Sequence, residues 1–358
     1  MDALSDIFSA FSTGSRMAYA VPIGSGHIHK TWLIHTENPN EPGFIMQKFN
    51  GHVFPDFDKV TENLLLVTGL LNRHPEYSKR YSIAAPLSSR AGGYAVRQQD
   101  RSAWRLFQRI APGLSYDLVP DEATAFEAGK IYGLFLAALQ ELRADKLHEV
   151  IPGFHSVSLR YRQLLDAAKP EPIGRFVHAA QELRFAKKHI AEMSVIPRQQ
   201  QAGRLPLRVT HNDTKLNNVL FDTQMQARAV VDLDTVMPGL SLYDFGDLVR
   251  TAAATNNEDS AETGFSLSCF EAITRGYLKE TATILSPEEK NLMPLAPRYM
   301  AYIMGIRFLA DYLNGDLYYA THYPEQNLMR CRAQFQLMEA MAKNHDACCR
   351  ITESACRA

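Results

Sequence analysis

One stretch near the middle of the chain restricts its fold most: two short apolar runs, each joined to a group of polar residues. The stretch is RVTHNDTKLNNVLFDTQMQARAVVDLDTV, at 208–236, and it lies between segments with helical periodicity. Its first polar group has the form His-x-Asp-x-Lys-x-x-Asn, with His211, Asp213, Lys215 and Asn218. The second run, AVVDLDT, carries Asp232 and Asp234. Because neighbouring strands bring such groups together, we expect one polar site here.

The spacing within this stretch indicates a particular chemistry. Asp213 and Asn218 have the offset of the aspartate and asparagine in the catalytic loop of protein kinases. There a carboxylate accepts the proton of the attacking hydroxyl, and an amide oxygen is a hard ligand for magnesium. Asp232 follows at the interval of about 20 residues at which kinase-like folds carry the metal aspartate. The sequence therefore predicts Asp213 as the catalytic base and Asn218 and Asp232 as Mg²⁺ ligands.

The segment SLYDFGDLV, at 241–249, contains the letters Asp-Phe-Gly that mark a metal aspartate in protein kinases. No β run leads into it, and a helical pattern begins there. We therefore predict Asp244 as a helix N-cap and Asp247 as a first-turn residue, rather than metal ligands.

The order of elements predicts the fold class. Residues 17–50 contain three β-rich runs, a helical run follows, and further strands are expected within 82–88 and 94–110. After that the pattern changes to long helices. This predicts an α+β, bilobal, protein-kinase-like fold. It has a small antiparallel-sheet N-terminal lobe (1–107), a hinge (108–112) and a larger, mostly helical C-terminal lobe (113–358).

A nucleotide site is predicted in the N-terminal lobe. Gly24 and Gly26, between two strands, would let backbone N–H groups approach phosphates, although most such pairs are ordinary hairpin turns. Lys48, or the neighbouring Gln47, would contact phosphates, and Glu62 of the next helix would orient the lysine. The alternative is a solvated lysine and a surface glutamate. No Walker loop is present.

Composition limits the partners. The formal net charge of −1 gives no reason to expect nucleic acid, and no apolar run approaches the ~20 residues that span a bilayer. The five cysteines, without regular spacing, argue against a disulfide framework or a zinc site. We expect a cytoplasmic protein without a membrane partner. A monomer is favoured, although no pattern fixes the oligomeric state.

Several longer segments carry a resemblance that covers nearly the whole chain. They include GSGHIHKTW, WRLFQRIAPG, IPGFHS, THNDTKLNNVLFD, VVDLDTVMPG, YDFGDLVR and IRFLADYLNGDLYY. In these segments the chain resembles the aminoglycoside phosphotransferase and choline kinase superfamily, and within it the N-acetylhexosamine 1-kinases. The resemblance implies transfer of the ATP γ-phosphate to the anomeric hydroxyl of GlcNAc or GalNAc, with ATP and Mg²⁺ as cofactors.

The resemblance also implies roles for individual residues. It supports Asp213 as base and Asn218 and Asp232 as magnesium ligands, and it implies that Asp244 or Asp247 accepts a hydrogen bond from the backbone near His211. The adenine-binding hinge would be formed by Arg109, Ile110 and Ala111. The sugar contacts would come from His27, Asp234, Arg307 and Tyr318. His29 and Lys30 depart from the smaller polar residues expected there, and an exposed ion pair with Asp311 is the alternative for Arg307.

Other functions remain open at this stage. The acceptor could be another sugar, an amino alcohol or an aminoglycoside, although a polycationic acceptor calls for an acidic pocket. A non-catalytic nucleotide-binding module is disfavoured by the presence of the base, both metal ligands and the lysine. A protein kinase is least expected, since no Ala-Pro-Glu segment follows Asp232.

Overall fold

An antiparallel sheet forms the N-terminal part of the protein, in a computed structural model that describes residues 2–23, 29–169 and 174–357. Its elements are α1 Asp2–Ser9, β1 Met17–Ile23, β2 Lys30–Thr36, β3 Phe44–Lys48, α2 Phe57–Arg73, α3 Pro75–Arg80, β4 Val96–Arg97 and β5 Ala103–Gln108. The strand order is β1-β2-β3-β5-β4, and every neighbouring pair is antiparallel. Phe8 and Phe11, from α1 and the turn after it, pack with Met46 and Leu106 on one face of the sheet.

Helices and two short strand pairs make up the rest of the chain. The helices are α4 Glu122–Ala138, α5 Val157–Ala167, α6 Ala180–Met193, α7 Val195–Gln201, α8 Ser241–Ala252, α9 Leu267–Thr281, α10 Pro287–Leu292, α11 Ala296–Leu313, α12 Gln326–Lys343 and α13 His345–Arg357. The strands are β6 Arg208–Thr210, β7 Val219–Phe221, β8 Ala227–Val230 and β9 Met237–Gly239. None of the described helices has the length and apolarity needed to cross a bilayer.

The predicted fold class is confirmed: a five-stranded antiparallel sheet precedes a helical C-terminal part. Two local predictions are wrong. Residues 82–88 do not form the predicted strand and contribute one isolated β-bridge, between Pro86 and Phe107. The ladder does not extend because proline has no N–H to donate. Helix α8 begins at Ser241 with Leu240 as its N-cap, so Asp244 lies inside the first turn and Asp247, predicted in that turn, lies in the second.

Helix α2 connects the N-terminal part to the segment between the strands β8 and β9. The amide of Asn63, which is 1% exposed, donates to the carbonyls of His148 (2.8 Å) and Val236 (2.9 Å) and accepts the His148 N–H (2.8 Å). A buried side-chain amide with this many partners fixes the position of its helix. Helix α2 is thereby held against the segment that follows Asp232.

Close packing of α4 against α9 depends on glycine. A Cβ atom at Gly276 would lie 2.2 Å from the Phe126 carbonyl oxygen and 2.9 Å from the Lys130 nitrogen, both of which are backbone atoms. We expect Gly276→Ala to lower the free energy of unfolding by about 2 kcal/mol or more, because the helices must separate. Urea unfolding of the full chain measures this effect.

Gly69→Ala, in the interior of α2, is the matched control. There a Cβ atom would meet only the Arg73 Nη1 atom, at 3.8 Å. Its expected effect has the opposite sign, a gain of up to ~1 kcal/mol from helix propensity. Equal changes in the two variants would contradict the packing argument.

Candidate active site

Two strand pairs build the centre of the site. β7 pairs with β8, and the Val231 N–H donates to the Asn218 carbonyl at 2.9 Å. The Asn218 amide in turn donates to Asp213, to its backbone oxygen at 2.8 Å and to its carboxylate at 3.1 Å. The structure therefore brings together the loops that carry Asp213, Asn218 and Asp232.

Both loops contain a residue in the left-handed backbone region. Asn212 has φ 64° and Asp232 has φ 59°. Asparagine and aspartate tolerate this region better than other non-glycine residues, although it still costs on the order of 1 kcal/mol. Asn212 is fixed by its side-chain amide, which donates to the Thr210 and Thr235 carbonyls at 3.1 Å each. Such strained positions persist where the surrounding hydrogen bonds determine the local shape.

Asp244 supports the first loop from below. Its two carboxylate oxygens accept the backbone N–H groups of His211 (2.9 Å) and Asn212 (2.7 Å). The His211 ring donates to the Val231 carbonyl at 3.0 Å and so links the two loops. Asp247 has a different partner, the buried Arg250 at 2.8 Å. Asp244 thus sets the shape of the turn immediately before Asp213.

The buried carboxyl of Asp244 makes stability depend on pH. Burial raises its pKa from 3.8 to about 7, so between about pH 4 and pH 7 the folded protein holds a proton that the unfolded chain releases. This contribution to stability is present at low pH and is lost as the pH rises through that window, by roughly 4 kcal/mol. We expect Asp244→Asn to remove this part of the slope when urea unfolding is compared at pH 5 and pH 7.5.

The exposed Asp346 provides the control for this measurement. Asp346→Asn should keep the wild-type difference between the two pH values. A wild-type slope in Asp244→Asn would show that this carboxyl titrates at an ordinary pKa in the folded protein.

The pKa values of the two carboxyl groups at the centre of the site, Asp213 and Asp232, are shifted in opposite directions. Burial acts to raise the pKa of Asp213, but Lys215, whose Nζ lies 3.3 Å from the carboxylate, acts together with His211 and Asn218 to hold that pKa below its ordinary value. Burial and the neighbouring charges of Asp234 and Asp213 raise the pKa of Asp232 to about 6. Asp213 is thus ionised at neutral pH, and Asp232 lies where a positive charge would be stabilising.

Asp234 joins this centre to the N-terminal sheet. Both of its carboxylate oxygens accept from the Arg105 guanidinium, Oδ2 at 2.7 Å, and Oδ2 also accepts from the His29 ring at 2.6 Å. All three side chains are buried, and burial acts to raise the Asp234 pKa, but Arg105 and His29 together lower it. His29 is fixed in turn because its Nδ1 accepts the Asn50 N–H at 3.0 Å. A direct sugar contact by Asp234 stays a prediction, and it would require this ion pair to open.

The predicted phosphate contacts of β3 point to opposite faces of the sheet, as successive strand residues do. Gln47 lies on the side of Arg105, whose Nε donates to its side-chain oxygen at 2.9 Å. Lys48 instead lies 3.3 Å from Asp100 and over the Trp104 ring. Glu62 is exposed and pairs with His148 at 2.6 Å. The structure therefore gives Lys48 and Glu62 separate partners.

The other predicted nucleotide residues lie in two places. Gly24, Gly26 and His27 fall outside the described residues. Arg109, Ile110 and Ala111 follow the end of β5, and the Arg109 N–H donates to the Gly43 carbonyl at 3.1 Å. A few residues later, Leu114 bridges to Phe221 of β7. The predicted hinge thus runs from the sheet directly to the strand that follows Asn218.

A cavity of about 560 Å³ lies between the helical part and the segment that joins β3 to α2, and Arg307 and Tyr318 are on its wall. The Arg307 guanidinium stacks on Phe154, which also lines the cavity, at 5.1 Å. The next residue, His155, donates to the Asn212 carbonyl at 2.8 Å. Burial lowers the pKa of His155 to about 3, and the charges of Arg307 and Asp213 also act on it. His155 therefore lies between the cavity and the loop that carries Asp213.

Several residues of the site had no role in the sequence argument. Lys215 stood within the motif without a function, and Arg105, His155 and Arg160 were not singled out. Arg105 did have a signal, since it is the one charge within the apolar strand AWRLF. His155 had none, because its partner Asn212 is 57 residues away in sequence. Arg160 had none either, because in the sequence it is one of several charged residues in a helical segment.

The fold and the paired loops define a class of protein: a small-molecule phosphotransferase with a kinase-like fold. The model of the phosphotransferase enzyme family matches residues 20–282, most of the chain, and the protein belongs to this family. The superfamily expected from the sequence is thereby confirmed.

Several solved structures have a similar fold. A microcompartment-associated aminopropanol kinase is 14% identical over 97% of this chain and 98% of its own, with a TM-score of 0.65. An aminoglycoside phosphotransferase from Alicyclobacillus acidocaldarius is 14% identical over 98% and 96%, with a TM-score of 0.59. A choline kinase from Cryptosporidium parvum is 13% identical over 95% and 93%, with a TM-score of 0.55. At these identities the similarity shows the fold alone.

Proposed function

We propose that this protein transfers the γ-phosphoryl group of ATP to the anomeric hydroxyl of an N-acetylhexosamine, GlcNAc or GalNAc, giving the sugar 1-phosphate. The observation that carries the proposal is the position of Asp213. Its ionised carboxylate lies between Asn218 and Lys215, and His155 connects its loop to the cavity lined by Arg307 and Tyr318. The choice of sugar rests on the sequence resemblance.

In the proposed reaction Asp213 accepts a hydrogen bond from the C1 hydroxyl and takes its proton as the new O–P bond forms. The bond between the γ-phosphorus and the β,γ-bridging oxygen breaks, and ADP leaves. Lys215 would balance negative charge on the transferring group. The chain thus acts chiefly by positioning and electrostatic stabilisation, since a loose transition state requires little covalent work from the protein.

The residues present fit a magnesium ion. Asp232 is a buried carboxyl whose pKa is raised by neighbouring negative charge, and a cation would relieve that repulsion. The Asn218 amide nitrogen faces Asp213, which leaves its oxygen to act as a hard ligand. Among the described residues no three His, Cys, Asp or Glu side chains form a metal cluster. Nucleotide-bound magnesium needs only one or two protein ligands, because phosphates and water supply the rest. When bound there, Mg²⁺ would neutralise charge on the β- and γ-phosphates.

The nucleotide would lie between the sheet and this centre. In the proposal, Arg109, Ile110 and Ala111 bind the adenine, and Gly24 and Gly26 cover the phosphates. Lys48 could contact the phosphates only after leaving Asp100, with Glu62 leaving His148 to orient it. His27, in the same segment as Gly24 and Gly26, would contact the sugar.

The cavity bears on the alternative acceptors. Two arginines, Arg160 and Arg307, line it, and its two aspartates are engaged by Lys169 and by backbone N–H groups, so a polycationic aminoglycoside would find no acidic pocket. Another uncharged sugar or an amino alcohol remains the second candidate. A non-catalytic module would have no need of the base and metal residues that the two loops bring together.

Incubation of the protein with ATP, Mg²⁺ and either GlcNAc or GalNAc tests the proposal. Phosphorus NMR of the product should show phosphate on the C1 oxygen. Choline, aminopropanol and an aminoglycoside are run in parallel, with ADP release as the readout. Faster turnover of choline, aminopropanol or the aminoglycoside would overturn the sugar assignment. Absence of ADP release with every acceptor, the two sugars included, would overturn the proposed function altogether.

A further inference from the structure

The cavity lined by Arg307 and Tyr318 contains two guanidinium groups that have no acidic partner among the described residues. Arg160 of α5 donates from Nε to the Phe154 carbonyl at 3.1 Å and from Nη1 to the Gln163 side-chain oxygen at 3.0 Å. Arg307 of α11 contacts aromatic faces and the Met304 sulfur, at 3.5 Å from Nη1. Within the described parts of the chain, neither arginine forms an ion pair. Both guanidinium groups therefore line the cavity without an ion-pair partner among the described residues.

Two carboxylates also line the cavity, but each is engaged elsewhere. Asp166 lies 2.9 Å from Lys169 Nζ. Asp311 accepts the backbone N–H groups of the Leu317, Tyr318 and Tyr319 segment at 2.8–3.0 Å. Arg307 and Asp311 therefore do not form the ion pair that their spacing suggested as an alternative. The Asp311 carboxylate instead holds the loop that forms part of the cavity wall.

The arginines also act on each other. Burial and the charge of Arg307 lower the pKa of Arg160 to about 10. Near them, the Tyr319 hydroxyl and the His155 Nδ1 atom are buried and have no hydrogen-bond partner among the described residues. Partly buried like charges and unpartnered polar atoms are unfavourable unless a ligand supplies the missing partner.

We infer that this cavity binds an acidic substituent of the acceptor, a carboxylate or a phosphate, through Arg160 and Arg307. The planar guanidinium fork matches the oxygens of either group, and two such groups discriminate strongly against a neutral substituent. The identity of the rest of the acceptor rests on the proposed function. The preferred acceptor is then an N-acetylhexosamine that carries an acidic group, rather than the neutral sugar.

Acceptors that differ only in charge test this inference. GlcNAc is compared with its C6-carboxylate analogue, its O3-carboxyalkyl ether and its 6-phosphate. We expect kcat/KM for at least one acidic sugar to exceed that for GlcNAc by about tenfold or more. In Arg160→Gln this ratio should fall by about the same factor. In Arg162→Gln, an exposed residue of the same helix outside the cavity lining, the ratio should stay at the wild-type value.

Calorimetric titration of the full chain with the same four sugars separates this inference from the proposed function. Tighter binding of an acidic sugar, lost in Arg160→Gln but not in Arg162→Gln, supports the inference even if no phosphate is transferred. Phosphorylation of GlcNAc without any preference for an acidic sugar, in rate or in binding, overturns the inference and leaves the proposed function intact. Absence of binding of all four sugars overturns both.

Discussion

Asp213→Asn is expected to lower kcat by about 10³-fold while leaving ATP binding nearly unchanged. The amide cannot accept the proton of the acceptor hydroxyl, and general-base catalysis contributes about 10²–10⁴-fold. Asn is nearly isosteric with Asp, so the loop held by Asp244 should keep its shape. ADP release under saturating acceptor measures kcat, and nucleotide titration measures ATP affinity.

Glu339→Gln is the matched control, because it removes an exposed carboxylate of α12. It should have wild-type activity. Near-normal turnover in Asp213→Asn would show that another group takes the proton. A parallel loss of ATP affinity would instead indicate that the loop had been disturbed.

Arg105→Leu is expected to lower the free energy of unfolding by about 3–5 kcal/mol. The substitution leaves the Asp234 carboxylate, which is 3% exposed, with His29 as its remaining hydrogen-bond donor. Removing one partner of a buried ion pair leaves an uncompensated charge, and that cost is large. Urea unfolding of the full chain measures it.

Arg97→Gln gives the comparison within the same sheet. Arg97, on the neighbouring strand β4, pairs with Asp58 at 2.6 Å, but both side chains are more than half exposed. Such a pair contributes about 0–1 kcal/mol, so the variant should unfold close to the wild type. Equal losses in the two arginine variants would contradict the idea that the buried pair joins the sheet to the loop that carries Asp232.

The centre of the site could be predicted because its geometry is local. Strand pairing over a short stretch brings Asn218 next to Val231, so motif spacing alone placed Asp213, Asn218 and Asp232 together. The roles of these residues as base and metal ligands remain predictions until they are tested.

The surroundings of the site could not be predicted in the same way. The partners Arg105 and Asp234 are 129 residues apart, and no periodicity connects them. Gln47 and Lys48 are adjacent in β3 and point to opposite faces of the sheet. Which of them faces the site depends on the register of the strand in the sheet. The helix N-cap predicted at Asp244 lies four residues earlier, at Leu240. These features depend on tertiary packing, which a single sequence does not state.

The left-handed backbone at Asp232 also has a consequence for evolution. Few residues tolerate this conformation, chiefly glycine, asparagine and aspartate. Substitutions that keep the backbone intact therefore tend to be those that remove the negative charge. A descendant with Asn or Gly at this position would keep the fold and the hinge while losing one proposed magnesium ligand. Within this family, a single codon change could thus separate a catalyst from a folded nucleotide-binding relative.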